Sequence, residues 1–442
     1  ISEFAMESYF GRINLSYLDR YILNVTMRSD GSSRFAPSDR YGYFPSVSLG
    51  WNVSKESFWK FPQTDLKFRL SYGKTGNQDG IGNYAWQPLM SGGINYGNNS
   101  GMAVTSMGNN KLTWETADQY DFGFDLGFWN GKLNMIADIY LKNTNNLLYS
   151  MPLHGTSGFT SITSNIGSMR NYGVEFSING HLNIGKVNWT SSFNISHNKN
   201  KLTKLLGDDL LPIGANRALK VGAELGAFYL FRMDGLYQYD GEVPQPLYDL
   251  GVRAGDVKYH DADNNGIIND NDRVLTGSSN PDFFGGWNNT FKYKGFQLDV
   301  FFTYMYGNDV YAEWAVTATR PGYRMAITED VAKNRWTAPG SSNKYPRAVN
   351  TLCGHNSKNS TRFLEDGSFI RLRSLTFSYT FPQVMLQKIR LKGLQGDNLL
   401  LFSKYSGWDP EVSKNMDPQY FGVDLYGVPP SRSVNFGINL SF

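Results

Sequence analysis

The sequence predicts an all-β protein of one kind, a transmembrane antiparallel β-barrel. Three observations carry that prediction. Apolar residues recur at every second position through many runs. The links between these runs alternate between short and long. The composition joins 15% aromatic residues and 46 glycines to only 18% charged residues, with a mean hydropathy of −0.40. Soluble domains carry roughly 25% charge, and disordered chains are poor in aromatics. A barrel wall reconciles these numbers, because only one face of each strand is apolar.

The alternation is explicit. Leu66, Phe68, Leu70 and Tyr72 alternate with Lys67, Arg69 and Ser71. Tyr120, Phe122, Phe124, Leu126 and Phe128 alternate with Asp121, Gly123, Asp125 and Gly127. Leu133, Met135, Ala137, Ile139 and Leu141 follow after Asn130-Gly131, a dipeptide suited to a tight hairpin. Further stripes run through Phe296, Leu298, Val300, Phe302, Tyr304 and Tyr306, and through Leu375, Phe377, Tyr379 and Phe381. The last is Val434, Phe436, Ile438, Leu440 and Phe442. A soluble sandwich also shows such stripes. Here the intervening residues are mostly small or neutral, and runs of about ten residues suit a tilted membrane span.

Strands are expected at 9–18, 20–29, 45–54, 65–73, 118–128, 132–142, 170–179, 186–197, 286–294, 295–306, 368–381, 389–397 and 432–442. Long links are expected at 30–44, 74–117, 143–169, 198–285, 307–367 and 398–431. Outer-membrane barrels have short periplasmic turns and long extracellular loops. On that rule the first strand runs inward and Phe442 ends at the periplasmic face. Single-chain bacterial barrels have even strand numbers, so thirteen points to strands and an N-terminal part lying outside this chain. The competing explanation is an uncounted strand at Phe228–Gln238. No run of about 18 apolar residues marks a spanning helix. With 42 Lys+Arg against 39 Asp+Glu, the net charge of +3 gives no electrostatic footprint for nucleic acid. One cysteine, Cys353, excludes a disulfide framework.

Specific blocks carry a resemblance. Arg28-Ser-Asp30-Gly31-Ser32-Ser33-Arg34-Phe35 with Tyr41-Gly42-Tyr43-Phe44-Pro45-Ser46 resembles a hallmark of SusC/RagA-type TonB-linked outer-membrane transporters. The blocks 70–78, 114–116, 171–175, Gly255-Asp256-Val257-Lys258-Tyr259, Ser368-Phe369-Ile370-Arg371-Leu372, 398–399 and Tyr405-Ser406-Gly407-Trp408-Asp409-Pro410-Glu411 follow in the family's order. The resemblance spans essentially the whole chain. It implies the C-terminal thirteen strands of a 22-stranded barrel, with signal peptide, N-terminal extension and plug domain elsewhere. It also implies a SusD-like surface lipoprotein acting as a lid, energy relayed through the TonB complex, and oligosaccharides or sometimes peptides as cargo. A passive porin-like channel and a surface carbohydrate-binding protein are the alternatives from other classes.

The sharpest chemical motif is 261–272. Asp261, Asp263, Asn265, the Ile267 carbonyl, Asn269 and Asp272 occupy calcium-loop positions, with Gly266 at the bend. A hard cation needs six to eight converging oxygens, which this spacing can supply. The bland alternative is an Asx-rich turn without metal. The expected Ca2+ role is to stiffen the extracellular loop 198–285. Among loop aromatics, Tyr84, Trp86, Tyr96, Trp314, Tyr323 and Trp336 are the candidate cargo-stacking rings. Trp114, Tyr237, Tyr239 and Tyr311 belong to the same loop set. The alternative for each ring is packing or girdle anchoring. Gly437, Leu440 and Phe442 resemble the terminal signal read by the barrel-assembly machinery. The five histidines show no metal-ligand spacing. No nucleophile, zinc or phosphate-binding motif of an enzyme occurs.

Overall fold

The computed structural model describes residues 3–205, 210–322, 325–349, 354–380, 389–416, 420–437 and 439–440. The chain divides into two compact units: residues 1–209 with 220–223, and residues 210–219 with 224–442.

The first unit is a meander of eight wall strands. They are β1 (Met6–Tyr17), β2 (Tyr21–Ser32), β3 (Tyr41–Asn52), β4 (Thr64–Asn77), β5 (Glu115–Phe128), β6 (Leu133–Pro152), β7 (Ser161–Ile184) and β8 (Val187–Leu205). Each pairs antiparallel with its sequence neighbour. In the second unit, β9 (Phe283–Tyr293), β10 (Phe296–Tyr306), β11 (Phe369–Thr380) and β12 (Ile389–Ser403) continue in the same way. Two pieces of a last strand, Ser433–Phe436 and Asn439–Leu440, both pair with β12. Every expected strand therefore has a counterpart. The segment Phe228–Gln238 is not a wall strand. It forms Ala227–Phe231, paired with Arg273–Ser278, and Met233–Leu236, paired with Val257–Tyr259.

The register explains why these residues form a wall. One row across the first unit reads Leu15, Leu23, Leu49, Leu70, Phe122, Ile139, Val174. The next residue along each strand turns to the other face, as the two-residue period requires. There the row reads Asn14, Asn24, Ser48, Ser71, Asp121, Tyr140, Gly173, Asn198. A soluble protein would bury the first row. Here Leu70, Phe122, Ile139 and Val174 are 52%, 45%, 57% and 45% exposed. In β9–β12 the row Phe291, Leu298, Phe377, Leu394, Phe436 repeats the pattern.

The register also gives the strand tilt. The row through Tyr21 at the first tight turn passes Trp51, Phe68, Phe124 and Ala137 and reaches Phe176. The β7–β8 turn begins eight residues further on, at Ile184. The centres of the β1–β2 and β7–β8 turns lie six strand spacings apart, so eight residues at roughly 3.4 Å over six spacings of roughly 4.8 Å correspond to a tilt of about 43°. Closed barrels tilt by 35–45°.

The short links are sharp turns. Leu18 and Asp19 have φ of 53° and 54°, a type I′ turn closed by the Arg20 amide on the Tyr17 carbonyl. Trp129, Asn130 and Gly131 at the second turn also have positive φ.

Wall strands run on into several of the expected long links, as β8 does to Leu205 and β12 to Ser403, and most of all into one. Residues 143–169 are largely strand: β6 runs 20 residues and β7 runs 24. Their Asn- and Thr-rich upper halves lose the apolar alternation, which is why they read as loop. The backbones nevertheless keep pairing with one another. At the tilt above, a 20-residue strand rises about 50 Å, twice the roughly 25 Å apolar band of such barrels.

The buried cores lie in the long links, not in the wall. One gathers Phe228, Leu230, Val310, Tyr311, Phe363 and Val423. Another gathers Phe231, Leu236, Tyr237, Leu247, Val257 and Tyr259. In the first unit Phe35, Phe44, Ile81, Leu112 and Trp114 form a third.

Candidate functional site

The acidic loop follows the strand Val257–Tyr259 and ends where Arg273–Ser278 begins. Asn264 (φ 55°) and Gly266 (φ 79°) bend it back on itself. Carboxylate oxygens of Asp261, Asp263 and Asp272 come to lie within 4.8 Å of one another. Asp272 is fully buried. Its Oδ1 accepts the Ala262 amide at 2.8 Å and its Oδ2 the Asn269 amide at 2.7 Å. Asp261 accepts the Gly266 amide at 2.7 Å and the Asn265 amide at 3.2 Å. The Gly266 amide is the main reason the Asp261 carboxyl is held below its ordinary range.

The amide side chains have other work. Asn265 Oδ1 accepts the Ile267 amide at 2.8 Å, and its Nδ2 donates to Asp263 Oδ2 at 2.8 Å. Asn269 caps the short helix Asp270–Asp272 in a capping box with Asp272. Ile267 is half exposed. The loop thus brings three of the six expected positions together as carboxylates and uses both amides to shape the turn. Two unit charges 4 Å apart repel by about 4 kcal/mol at an effective dielectric of 20, and three hard oxygen donors suit a hard cation. A fully buried carboxylate whose hydrogen-bond partners are backbone amides fits the same chemistry.

The polar face of the first unit is a second candidate surface. Arg12, Asn14, Asn24, Thr26, Ser48 and Gln119 border one depression on it. Below them Arg69 is clamped between Asp125 at 3.0 Å and Asp138 at 2.9 Å. Arg12 Nε donates to Thr26 Oγ1 at 3.2 Å, so these residues are neutral or mutually paired and the surface can be wetted.

Comparison with known proteins settles the family. Residues 2–399 match the TonB dependent receptor-like β-barrel family. The chain belongs to the TonB-dependent receptors. TonB-dependent receptor P3 of Formosa agariphila is 33% identical over all of this chain and 46% of its own length. TonB-dependent receptor SusC of Bacteroides thetaiotaomicron is 31% identical, over 98% of this chain and 43% of its own. The RagAB peptide transporter structure superposes with a TM-score of 0.86 at 27% identity, covering 100% of this chain and 48% of that one. The chain therefore spans about half the length of the curated relatives it matches. The part it spans is the β-barrel of these outer-membrane receptors.

The receptor's sequence blocks acquire physical roles. Arg34 Nε donates to Asn83 Oδ1 at 3.1 Å, and the Trp114 indole donates to the Arg40 carbonyl at 3.0 Å. Gly76 is required because a Cβ there would stand 2.1 Å from the Phe44 ring. Asp256 is a buried hub: Arg347 grips it through two 2.9 Å bonds, and Asn356 Nδ2 donates to it at 2.8 Å. No spacing in the sequence announces this hub, because Arg347 and Asn356 lie 91 and 100 residues away.

The aromatic candidates do not form one cluster. Trp314 packs on the first core of the second unit and donates to the Tyr405 hydroxyl at 3.1 Å. Trp336 packs on the other and donates to Gln238 at 3.1 Å. Trp114, Tyr237 and Tyr311 are buried, and Tyr239 is exposed. Tyr84 and Trp86 are half-buried, whereas Tyr96 is 90% exposed. Tyr323 and Phe442 lie outside the described residues. Gly437 falls between the two pieces of the last strand, and Leu440 pairs with Ile389.

His355 makes the loop packing pH-dependent. Burial pushes its imidazole below the ordinary histidine range, partly opposed by the Val257 carbonyl 2.8 Å from Nε2. The unfolded state therefore takes up the proton first as pH falls. The stabilisation is complete above about pH 6.5 and is lost below it. Amide exchange at residues 257–259, corrected for intrinsic rate, is expected to speed up between pH 7.5 and 5.5 in the native receptor. In His355→Gln that pH response should be largely absent.

Proposed function

We propose that this chain is the barrel wall of an active outer-membrane nutrient importer. A plug domain carried elsewhere in the complete polypeptide closes it, and TonB supplies the energy. Long loops face the outside, the C-terminus faces the periplasm, and a SusD-like surface lipoprotein covers the loops as a lid. The observation that carries this reading is the match to SusC and to the RagAB transporter over 98% and 100% of the chain. Oligosaccharide is the first cargo class to test. Peptide is the second, favoured by the similarity to a structure described as a peptide transporter. Uptake of labelled oligosaccharides and of mixed peptides by cells carrying the complete receptor is expected to stop when TonB is deleted. Uptake that continues unchanged would make it a passive channel.

The acidic loop is the proposed Ca2+ site, with Asp261, Asp263 and Asp272 as the carboxylate ligands. The Ile267 carbonyl, Asn265 and Asn269 are the further oxygens the spacing offers. Its role is to hold the 198–285 loop in one shape. Calorimetry on the folded receptor should show calcium binding that Asp272→Asn abolishes. No heat at millimolar calcium would rule the metal out.

A further inference from the structure

The strands β7 and β8 carry an unbalanced set of cations on the outward face. Register places Tyr172 opposite Lys199, Arg170 opposite Lys201, and Ser168 opposite Lys204 beyond a bulge. All lie on the same face as Val174 in the exposed apolar row. Counting up from the tight turn at Ile184 and Val187, Val174 stands ten residues above it, Lys199 twelve, and Arg170 and Lys201 fourteen. At about 2.5 Å of rise per residue on the tilted strand, these heights are about 25, 30 and 35 Å. The apolar band of such a wall is roughly 25 Å tall, so the cations sit just beyond its rim.

Arg170, Lys199, Lys201 and Lys204 are all exposed. Among the described residues none of them forms an ion pair. Arg170 Nε donates to Asn143 Oδ1 at 2.9 Å, which holds the guanidinium over the strand pair and leaves its outer nitrogens available. Like charges directly opposite on neighbouring strands are destabilising. Arg170 and Lys201 are such a pair, with Lys199 two residues away. An anion seated among them removes the repulsion, and phosphate matches both the guanidinium fork and the ammonium point charges.

We propose that this rim binds the phosphate of an anionic membrane lipid headgroup, its acyl chains lying along Val174, Ile139 and the neighbouring apolar rows. The depth selects a lipid over a soluble anion, because the cations adjoin the apolar band on the face turned away from the polar depression. The proposal rests on the reading that long loops face outside, which makes the lipid a phosphorylated glycolipid of the outer leaflet.

The test uses the complete receptor purified from outer membranes. Native mass spectrometry would follow binding of a bisphosphorylated acyl-glucosamine disaccharide and of its dephosphorylated form. Three rim cations at roughly fivefold each predict weakening on the order of 100-fold in the triple variant R170S/K199S/K201S. Arg170→Lys should bind nearly as well as the native receptor, and the dephosphorylated lipid weakly to both. If the triple variant fails to insert, Lys199→Gln and Lys201→Gln carry the test at about fivefold each. Equal binding by variant and native receptor would overturn the proposal. So would competition by inorganic phosphate at the lipid's own concentration, or loss of a copurifying protein partner with lipid binding intact. Failure of the receptor to fractionate with the outer membrane would overturn the underlying reading instead.

Discussion

Leu70→Arg is expected to destabilise the folded barrel by about 2–4 kcal/mol, the cost of a cation near the midplane of the lipid face. Leu70 stands six residues above the short-side end of β4 at Thr64, about 15 Å up the tilted strand. It lies in register between Leu49 and Phe122, and the neighbouring rings of Phe68 and Phe122 stack at 6.1 Å. An arginine there must leave the apolar band or drag water into it. Ser71→Arg, one residue on, enters the polar face opposite Ser48 and Asp121 and should cost less than about 1 kcal/mol. Reversible urea unfolding in lipid vesicles measures both. Equal costs would mean that the two faces see the same solvent.

The second large effect belongs to a buried ion pair. Arg371 at the upper end of β11 is 2% exposed and Asp409 is 4% exposed. Their contact is 2.6 Å, with Glu411 adding a second carboxylate at 3.0 Å from the same nitrogen. Arg371→Ala leaves Asp409 buried without its cation, a loss of about 3–5 kcal/mol. Asp409→Ala should cost less, because Glu411 still faces the guanidinium. The double variant Arg371→Met with Asp409→Leu should recover most of the loss, since apolar replacements of similar volume avoid the desolvation cost. Thermal unfolding followed by proteolysis at residues 404–412 distinguishes these outcomes. Instability in the double variant equal to that in Arg371→Ala would show that the pair supplies something other than charge balance.

The wall was legible from the chain because its physics is local. A two-residue period needs no knowledge of which strand is the neighbour, and Asn130-Gly131 declares its own turn. Leu18 shows the limit, since a leucine does not advertise positive φ and only the adjoining strands force it. The three carboxylates of the acidic loop were legible through their spacing. Spacing marks Asn265 and Asn269 as ligands too, whereas their oxygens accept backbone amides in the turn itself. The upper halves of β6 and β7 were not legible. Outside the apolar band both faces of a strand are wet, and alternation vanishes while pairing continues. The loop aromatics were ambiguous for a related reason. A ring that stacks on cargo and a ring that fills a loop core have the same sequence signature, and only the fold shows Trp314 donating to Tyr405. Asp256 with Arg347, and Arg371 with Asp409, join residues far apart in sequence, so only their neighbouring motifs could be read.

A wall strand in a membrane meets lipid with one face and water with the other. A spin-label scan of β5 from Asp118 to Leu126, with Cys353 replaced by serine and the complete receptor in lipid vesicles, tests it most directly. Relaxation by oxygen is expected at positions 120, 122, 124 and 126, alternating with relaxation by a water-soluble nickel complex at 119, 121 and 125; position 123 is left as glycine, because a Cβ there would stand 2.1 Å from Asp138 Oδ1. Equal access of the nickel complex to all positions, with no period of two, would contradict it.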